Sequence, residues 1–236
     1  PDRPTGPAVA MNTGELSWPG LPWTREVLSG LKAERGGLEI ERPSRTDIMG
    51  GMKQDVLKVL LTRDQIARRV GQLADQIRDR YVDLPEGLVI VPILSGSMVF
   101  VSDLIRQLPL RMRIGLLDVS SYPGQATVSQ GPTIVRSLDV DVRGRHVLVV
   151  DDILDSGRTL RRVTTELAAH GPASVRTCVL LRKPAKAPPD LTPDYVGFDV
   201  DDLFVVGYGL DYDDMYRNWP EIVVLRPECY ASPGGR

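Results

Sequence analysis

Cysteine and histidine are scarce in this chain. Two cysteines in 236 residues, Cys178 and Cys229, cannot build a disulfide framework or a four-cysteine zinc site. Two histidines, His146 and His170, argue against a multi-histidine metal centre and against Ser-His-Asp chemistry. Neither sign of charge is in excess: 29 lysines and arginines stand against 31 acids, a net −2. A dedicated nucleic-acid binder needs a basic surplus, so no nucleic-acid partner is expected. No run approaches ~18 uninterrupted apolar residues, which excludes a helical membrane span. Residues 1–7 lack the basic-then-apolar pattern of a leader, and the expectation is a cytoplasmic protein with no membrane partner. Polar chemistry is left to carboxylates, lysines, arginines and backbone.

What the chain does have is unevenly distributed. Residues 1–54 read as an N-terminal extension: proline and glycine are dense, Trp18 and Trp23 bracket a Trp-Pro-Gly-Leu-Pro-Trp run, and no periodicity persists beyond a short helical stretch over 25–33. Residues 55–236 read as one domain. Its regular structure is expected to start near Thr62, which with Gln65 makes a capping box. Ile66, Val70, Leu73, Ile77 and Tyr81 then follow at helical spacing. Leu88–Leu94 and His146–Val150 are short, β-branched apolar runs suited to strands buried on both faces. Residues 112–119, 134–138 and 174–181 read as further strands, and a helix is expected over 158–169, stopped by Gly171-Pro172. Strand, helix, strand in short succession predicts an α/β fold with a mainly parallel twisted sheet.

The informative stretch is Val147-Leu-Val-Val-Asp-Asp-Ile-Leu-Asp-Ser-Gly-Arg-Thr-Leu160. A buried strand runs into two acids, Asp151 and Asp152. A turn with Asp155, Ser156 and Gly157 then opens a helix. Backbone N–H groups at such a turn cradle a phosphate, and the helix dipole favours its charge. The acids suit the two hydroxyls of a sugar diol, so a ribose 5-phosphate fits. Spacing alone also allows a magnesium-binding phospho-acceptor site, or acids that only cap a helix.

The run Asp151-Asp-Ile-Leu-Asp-Ser-Gly-Arg-Thr159 resembles the phosphoribosyl-pyrophosphate signature of the type I phosphoribosyltransferases. Asp194–Tyr212, followed by Tyr216-Arg-Asn218, resembles their hypoxanthine-guanine branch. The resemblance covers about residues 55–230. It implies the type I fold, a mainly parallel twisted sheet flanked by helices, with a small base-binding hood formed mainly by the C-terminal part. It also implies transfer of phosphoribose from phosphoribosyl pyrophosphate to hypoxanthine or guanine, with Mg2+ as cofactor, in a homodimer or homotetramer. Two alternatives are a relative preferring xanthine and a ligand-sensing regulator that kept the fold.

By the same resemblance, Asp151 and Asp152 hold the ribose hydroxyls, and Ser156, Gly157, Arg158 and Thr159 enclose the 5-phosphate. Asp155 is the candidate general base at purine N7. Leu94, Ser95 and Gly96 form the pyrophosphate loop, often turned by a cis peptide, and Arg217 reaches the same group. Asp211 holds the metal. Lys183 donates to the purine 6-oxo group, Phe204 stacks on the ring, the Val205 backbone reads its far edge and Ile153 packs opposite. Ser121 and Tyr122 begin the closing loop. Two departures stand out: Ser95 occupies a place the family usually gives to lysine or arginine, and Ala187, with Lys186 beside it, occupies one commonly given to arginine.

Overall fold

The computed structural model describes residues 52–84, 86–120, 133–136 and 138–230. The extension up to residue 51 and the closing-loop residues Ser121 and Tyr122 lie outside them.

Strand β1 (Val56–Leu61) leads into helix α1 (Arg63–Tyr81). The Thr62 hydroxyl accepts from the Gln65 N–H while the Gln65 side chain accepts from the Thr62 N–H, the reciprocal cap read from the sequence. Helix α1 buries Ile66, Val70, Leu73, Ala74, Ile77 and Tyr81 along one stripe. There follow β2 (Leu88–Leu94), α2 (Met98–Arg106), β3 (Met112–Ile114), β4 (Leu117–Ser120), β5 (Thr133–Arg136) and β6 (His146–Leu154). The chain ends through α3 (Arg158–Ala169), β7 (Ser174–Arg182), β8 (Tyr195–Asp199), β9 (Val205–Val206), β10 (Ile222–Leu225) and the single turn α4 (Pro227–Tyr230).

The main sheet runs β5-β4-β2-β6-β7-β8, with β3 beside the first half of β2. Every pairing is parallel except β4 with β5. Alternation along its strands divides the core in two. Leu88, Ile90, Leu148 and Val150 face the layer of α1 and α2, with Phe100 and Leu104. Val89, Val91, Val147 and Val149 face α3, through Leu160, Val163 and Leu167. Covering both faces explains why the strands are apolar without interruption. Arg69 on α1 donates to the backbone oxygens of Val196 and Gly197 at 2.6 and 2.7 Å, fastening the helix to the edge strand β8.

A second, three-stranded antiparallel sheet has the order β1-β10-β9. Its β1 precedes the first element expected from sequence. The pairing with β10 shifts register between Val56 and Lys58 and again between Val59 and Leu61, and those irregularities break the alternation a strand normally shows. The strand expected over 112–119 is two strands, broken where the Gly115 N–H turns to Ile90 O and the Leu116 N–H to Asp139 Oδ1. β6 runs four residues beyond Val150, because its register with β7 continues through Asp151↔Val179 to Leu154↔Arg182.

Candidate active site

The carboxyl end of β6 is where the predicted residues gather, as the ligand end of a parallel α/β sheet should be. Asp151 is almost fully buried, and its Oδ1 accepts the Asp152 N–H at 3.1 Å. Burial pushes its carboxyl well above the usual range, and the neighbouring Asp152 charge adds to the shift. Burial raises Asp152 as well, against the pull of its hydrogen bonds and the Arg217 charge. Gly157, at φ 70°, caps α3. A side chain there would be strained by that backbone and would stand 2.6 Å from Leu191 Cδ2. Ser156 and Arg158 are exposed beside it, and Thr159 is half-buried.

Gly96, at the end of the pyrophosphate-loop residues Leu94, Ser95 and Gly96, lies against Asp152. The Leu94–Ser95 peptide is cis. A Cβ on Gly96 would stand 1.9 Å from Asp152 Oδ2, and one on Gly209 would stand 2.3 Å from Gly96 O. The Gly209 carbonyl in turn accepts from Arg217 Nη1 at 2.9 Å. Asp152, Gly96, Gly209 and Arg217 therefore form one contiguous wall, although they come from three separate segments. Arg217 Nη2 also pairs with Asp211 and Asp214 at 2.9 and 3.0 Å. That wall is shaped by a tight hairpin in which Tyr212 bridges Met215 and both Asp213 and Asp214 adopt positive φ, which aspartate tolerates.

A cleft of about 500 Å3 opens beside Asp152 and Asp155. Ile153 and Lys183 line it from the main sheet; Phe204, Val205, Leu210 and Asp211 line it from the C-terminal segment. Lys183 is only 7% exposed. Its Nζ donates to Asp155 Oδ2 and Asp202 Oδ1, each at 3.1 Å. Lys186 reaches the same two oxygens, Asp202 at 2.9 Å and Asp155 at 3.8 Å. The absent arginine at 187 is thus replaced by an ion pair from its neighbour. Lys186 first, then Lys183, holds the Asp202 carboxyl below the usual carboxylate range, and Asp202 raises Lys186 in return. An ammonium has three donors. Lys183 spends two on carboxylates and keeps one.

The sequence does not single out Asp202, and it shows Lys186 only as the neighbour of Ala187. Asp202 sits in the acidic run Asp199–Asp202, where nothing distinguishes it from solvated turn acids, and Lys186 meets it only because Lys186 and Ala187 N–H groups turn back onto Lys183 O. Tyr230 also lines the cleft and had no local signal. Among the described residues no group of three or more histidines, cysteines or acids is placed to hold a metal, and no helix is long and apolar enough to cross a membrane.

The sequence matches the phosphoribosyl transferase domain family over residues 58–213. It is 42% identical over 181 residues to the hypoxanthine-guanine phosphoribosyltransferase of Mycobacterium tuberculosis, covering 75% of this chain and 89% of the relative. The fold is similar to a hypoxanthine phosphoribosyltransferase from Staphylococcus aureus, with a TM-score of 0.71, 39% identity and coverage of 77% and 98% of the two chains. It is likewise similar to the Trypanosoma cruzi hypoxanthine phosphoribosyltransferase solved with its product IMP, with a TM-score of 0.69, 36% identity and coverage of 75% and 98%. A matched domain over most of the chain, with the sheet end, glycine-lined wall and lysine cleft described above, means that the chain belongs to the phosphoribosyl transferase family, in its hypoxanthine-guanine branch.

Proposed function

We propose that this chain joins hypoxanthine or guanine to phosphoribosyl pyrophosphate, giving IMP or GMP and pyrophosphate, as a cytoplasmic purine-salvage enzyme acting as a homodimer or homotetramer. One observation carries the reading: Asp152 and Asp155, on either side of the end of β6, and the donor-only Lys183 open onto the same cleft. Asp152, which lines the cleft, and Asp151 beside it accept from the ribose hydroxyls. Ser156, Gly157, Arg158 and Thr159 take the 5-phosphate at the N-terminus of α3. The Leu94–Gly96 backbone and Arg217 take the pyrophosphate.

The base lies with its 6-oxo group on the remaining Lys183 donor. Adenine would set its amino group against that ammonium, donor against donor, leaving a buried polar pair unmatched. Phe204 stacks on the ring, Ile153 packs opposite and the Val205 backbone reads the far edge. Asp155, already in contact with Lys183, takes the N7 proton as the glycosidic bond forms.

Magnesium takes one or two carboxylates and completes its shell with substrate phosphates and water. Asp211 fits that demand: it lines the cleft, is partly exposed, and already faces Arg217 and the Asp214 N–H. When bound, the ion neutralises charge building on the departing pyrophosphate.

The test is a steady-state assay across hypoxanthine, guanine, xanthine and adenine, with and without Mg2+. The expected result is Mg2+-dependent release of pyrophosphate with hypoxanthine or guanine and none with adenine. Preference for adenine would overturn the base-pocket reading, and preference for xanthine, which also carries a 6-oxo group, would favour the xanthine-preferring relative. Salt-dependent nucleic-acid binding without turnover would favour the regulator instead.

A further inference from the structure

A phenylalanine ring has two faces, and a base can use only one of them. In this chain the other face of Phe204 is already taken. Tyr230, the last residue of α4, stacks on it with ring centroids 4.4 Å apart and planes 17° from parallel. Tyr212 meets the same ring edge-on, at 5.4 Å and 86°. Both contacts fall within the geometries aromatic pairs prefer.

Phe204, Tyr212 and Tyr230 all pack against the apolar cluster of the three-stranded sheet, built on Val206, Trp219 and Val223. Ile153, proposed to cover the other face of the base, packs against the cluster of the main sheet. Phe204, Ile153 and Tyr230 all line the cleft, and a base that stacks on Phe204 takes the face that Tyr230 leaves open. Phe204 is only half-buried and sits just before the two-residue strand β9. Its carbonyl is held by the Leu225 N–H at 3.2 Å, two residues before α4 begins. Helix α4 is itself tied down, since the Arg226 N–H donates to Asp55 O and the Cys229 N–H to Arg226 O.

We propose that Tyr230 is a positioning residue for the purine: it backs Phe204, fixes the plane of its ring and so sets affinity for the base without touching the phosphoribosyl end. This rests on the reading of Phe204 as the base-stacking residue. The Tyr230 hydroxyl makes no hydrogen bond to a described residue, so the flat ring is what acts, and phenylalanine should serve as well.

The experiment compares Tyr230→Phe, Tyr230→Leu and Tyr230→Ala in the full chain. KM is measured for hypoxanthine and for phosphoribosyl pyrophosphate, and Tm is recorded for each variant. An aromatic pair contributes about 0.5–1.5 kcal/mol beyond buried area, so Tyr230→Ala and Tyr230→Leu should raise the hypoxanthine KM about 2- to 10-fold. The KM for phosphoribosyl pyrophosphate should stay put, and Tyr230→Phe should match wild type. Equal losses for both substrates, a base KM unmoved by Tyr230→Leu, or failure of Tyr230→Phe to restore it would each overturn the proposal. Phe204→Ala separates the two levels. If it raises the base KM while the Tyr230 variants do not, only the backing role fails; if it leaves the base KM unchanged, the base-site reading fails with it.

Discussion

Replacing Gly96 by alanine perturbs the site with one methyl group whose position is known. An ideal Cβ there lies 1.9 Å from Asp152 Oδ2 and 2.7 Å from Cγ. Ordinary contact begins near 3.4 Å, so the carboxylate or the loop must move by 3.4 − 1.9, about 1.5 Å. Turning Asp152 away also strains the hydrogen bond it accepts from the Ile153 N–H at 2.8 Å, a loss on the order of 1 kcal/mol. A misplacement of ~1 Å at a reacting centre costs about 10²-fold. The expected result is a fall of roughly that size in kcat/KM for phosphoribosyl pyrophosphate, with a Tm a few degrees lower at most. The hypoxanthine KM should change little, because Gly96 is not among the residues lining the base cleft. Steady-state kinetics with each substrate varied in turn reads the split. Because the clash is with Asp152, adding Gly96→Ala to Asp152→Ala should cost almost nothing further. Unchanged kinetics in Gly96→Ala, or full additivity in the double variant, would refute the idea that Asp152 works against this loop.

Asp155→Asn should lower turnover by about 10²- to 10⁴-fold while substrate KM values hold, and an unchanged kcat would remove Asp155 as the base. Asp151→Asn should raise Tm by a few degrees at neutral pH, since it removes a buried carboxyl while keeping an oxygen for the Asp152 N–H. The sign follows from linkage. The folded pKa lies above the ordinary 3.8, so the folded state holds the extra proton, and wild-type stability falls as pH rises from 3.8 through the raised value. The Asn variant should lose that slope, and parallel Tm-versus-pH curves for the two proteins would contradict the assignment. Lys186→Met should bring the Asp202 titration back up toward its ordinary value, read by NMR, because Lys186 is the larger cause of its depression. A stationary Asp202 would mean that solvent screens this exposed pair.

Local chemistry is what the sequence displays best. The Thr62–Gln65 cap, the stripe from Ile66 to Tyr81 and the bounds of α3 are set by residues within a turn of one another, and all are present as read. The resemblance added the cis turn after Leu94, which no local propensity signals. What escaped was non-local. β1 exists because β10 pairs with it from some 160 residues away, and the end of β6 is fixed by the register of β7. The same holds in the site. Asp151, Asp152 and Asp155 announce themselves as a motif, whereas the Lys183–Asp202–Lys186 arrangement forms only when two distant loops meet. Tyr230 matters through a ring it does not adjoin in sequence.

A crystal of the protein grown with IMP would test the placement most directly. Its phosphate should sit on the Asp155–Thr159 turn, its ribose hydroxyls on the β6 acids, and its base between Phe204 and Ile153 with O6 on Lys183. Nucleotide bound elsewhere, with that cleft holding only solvent, would contradict the account.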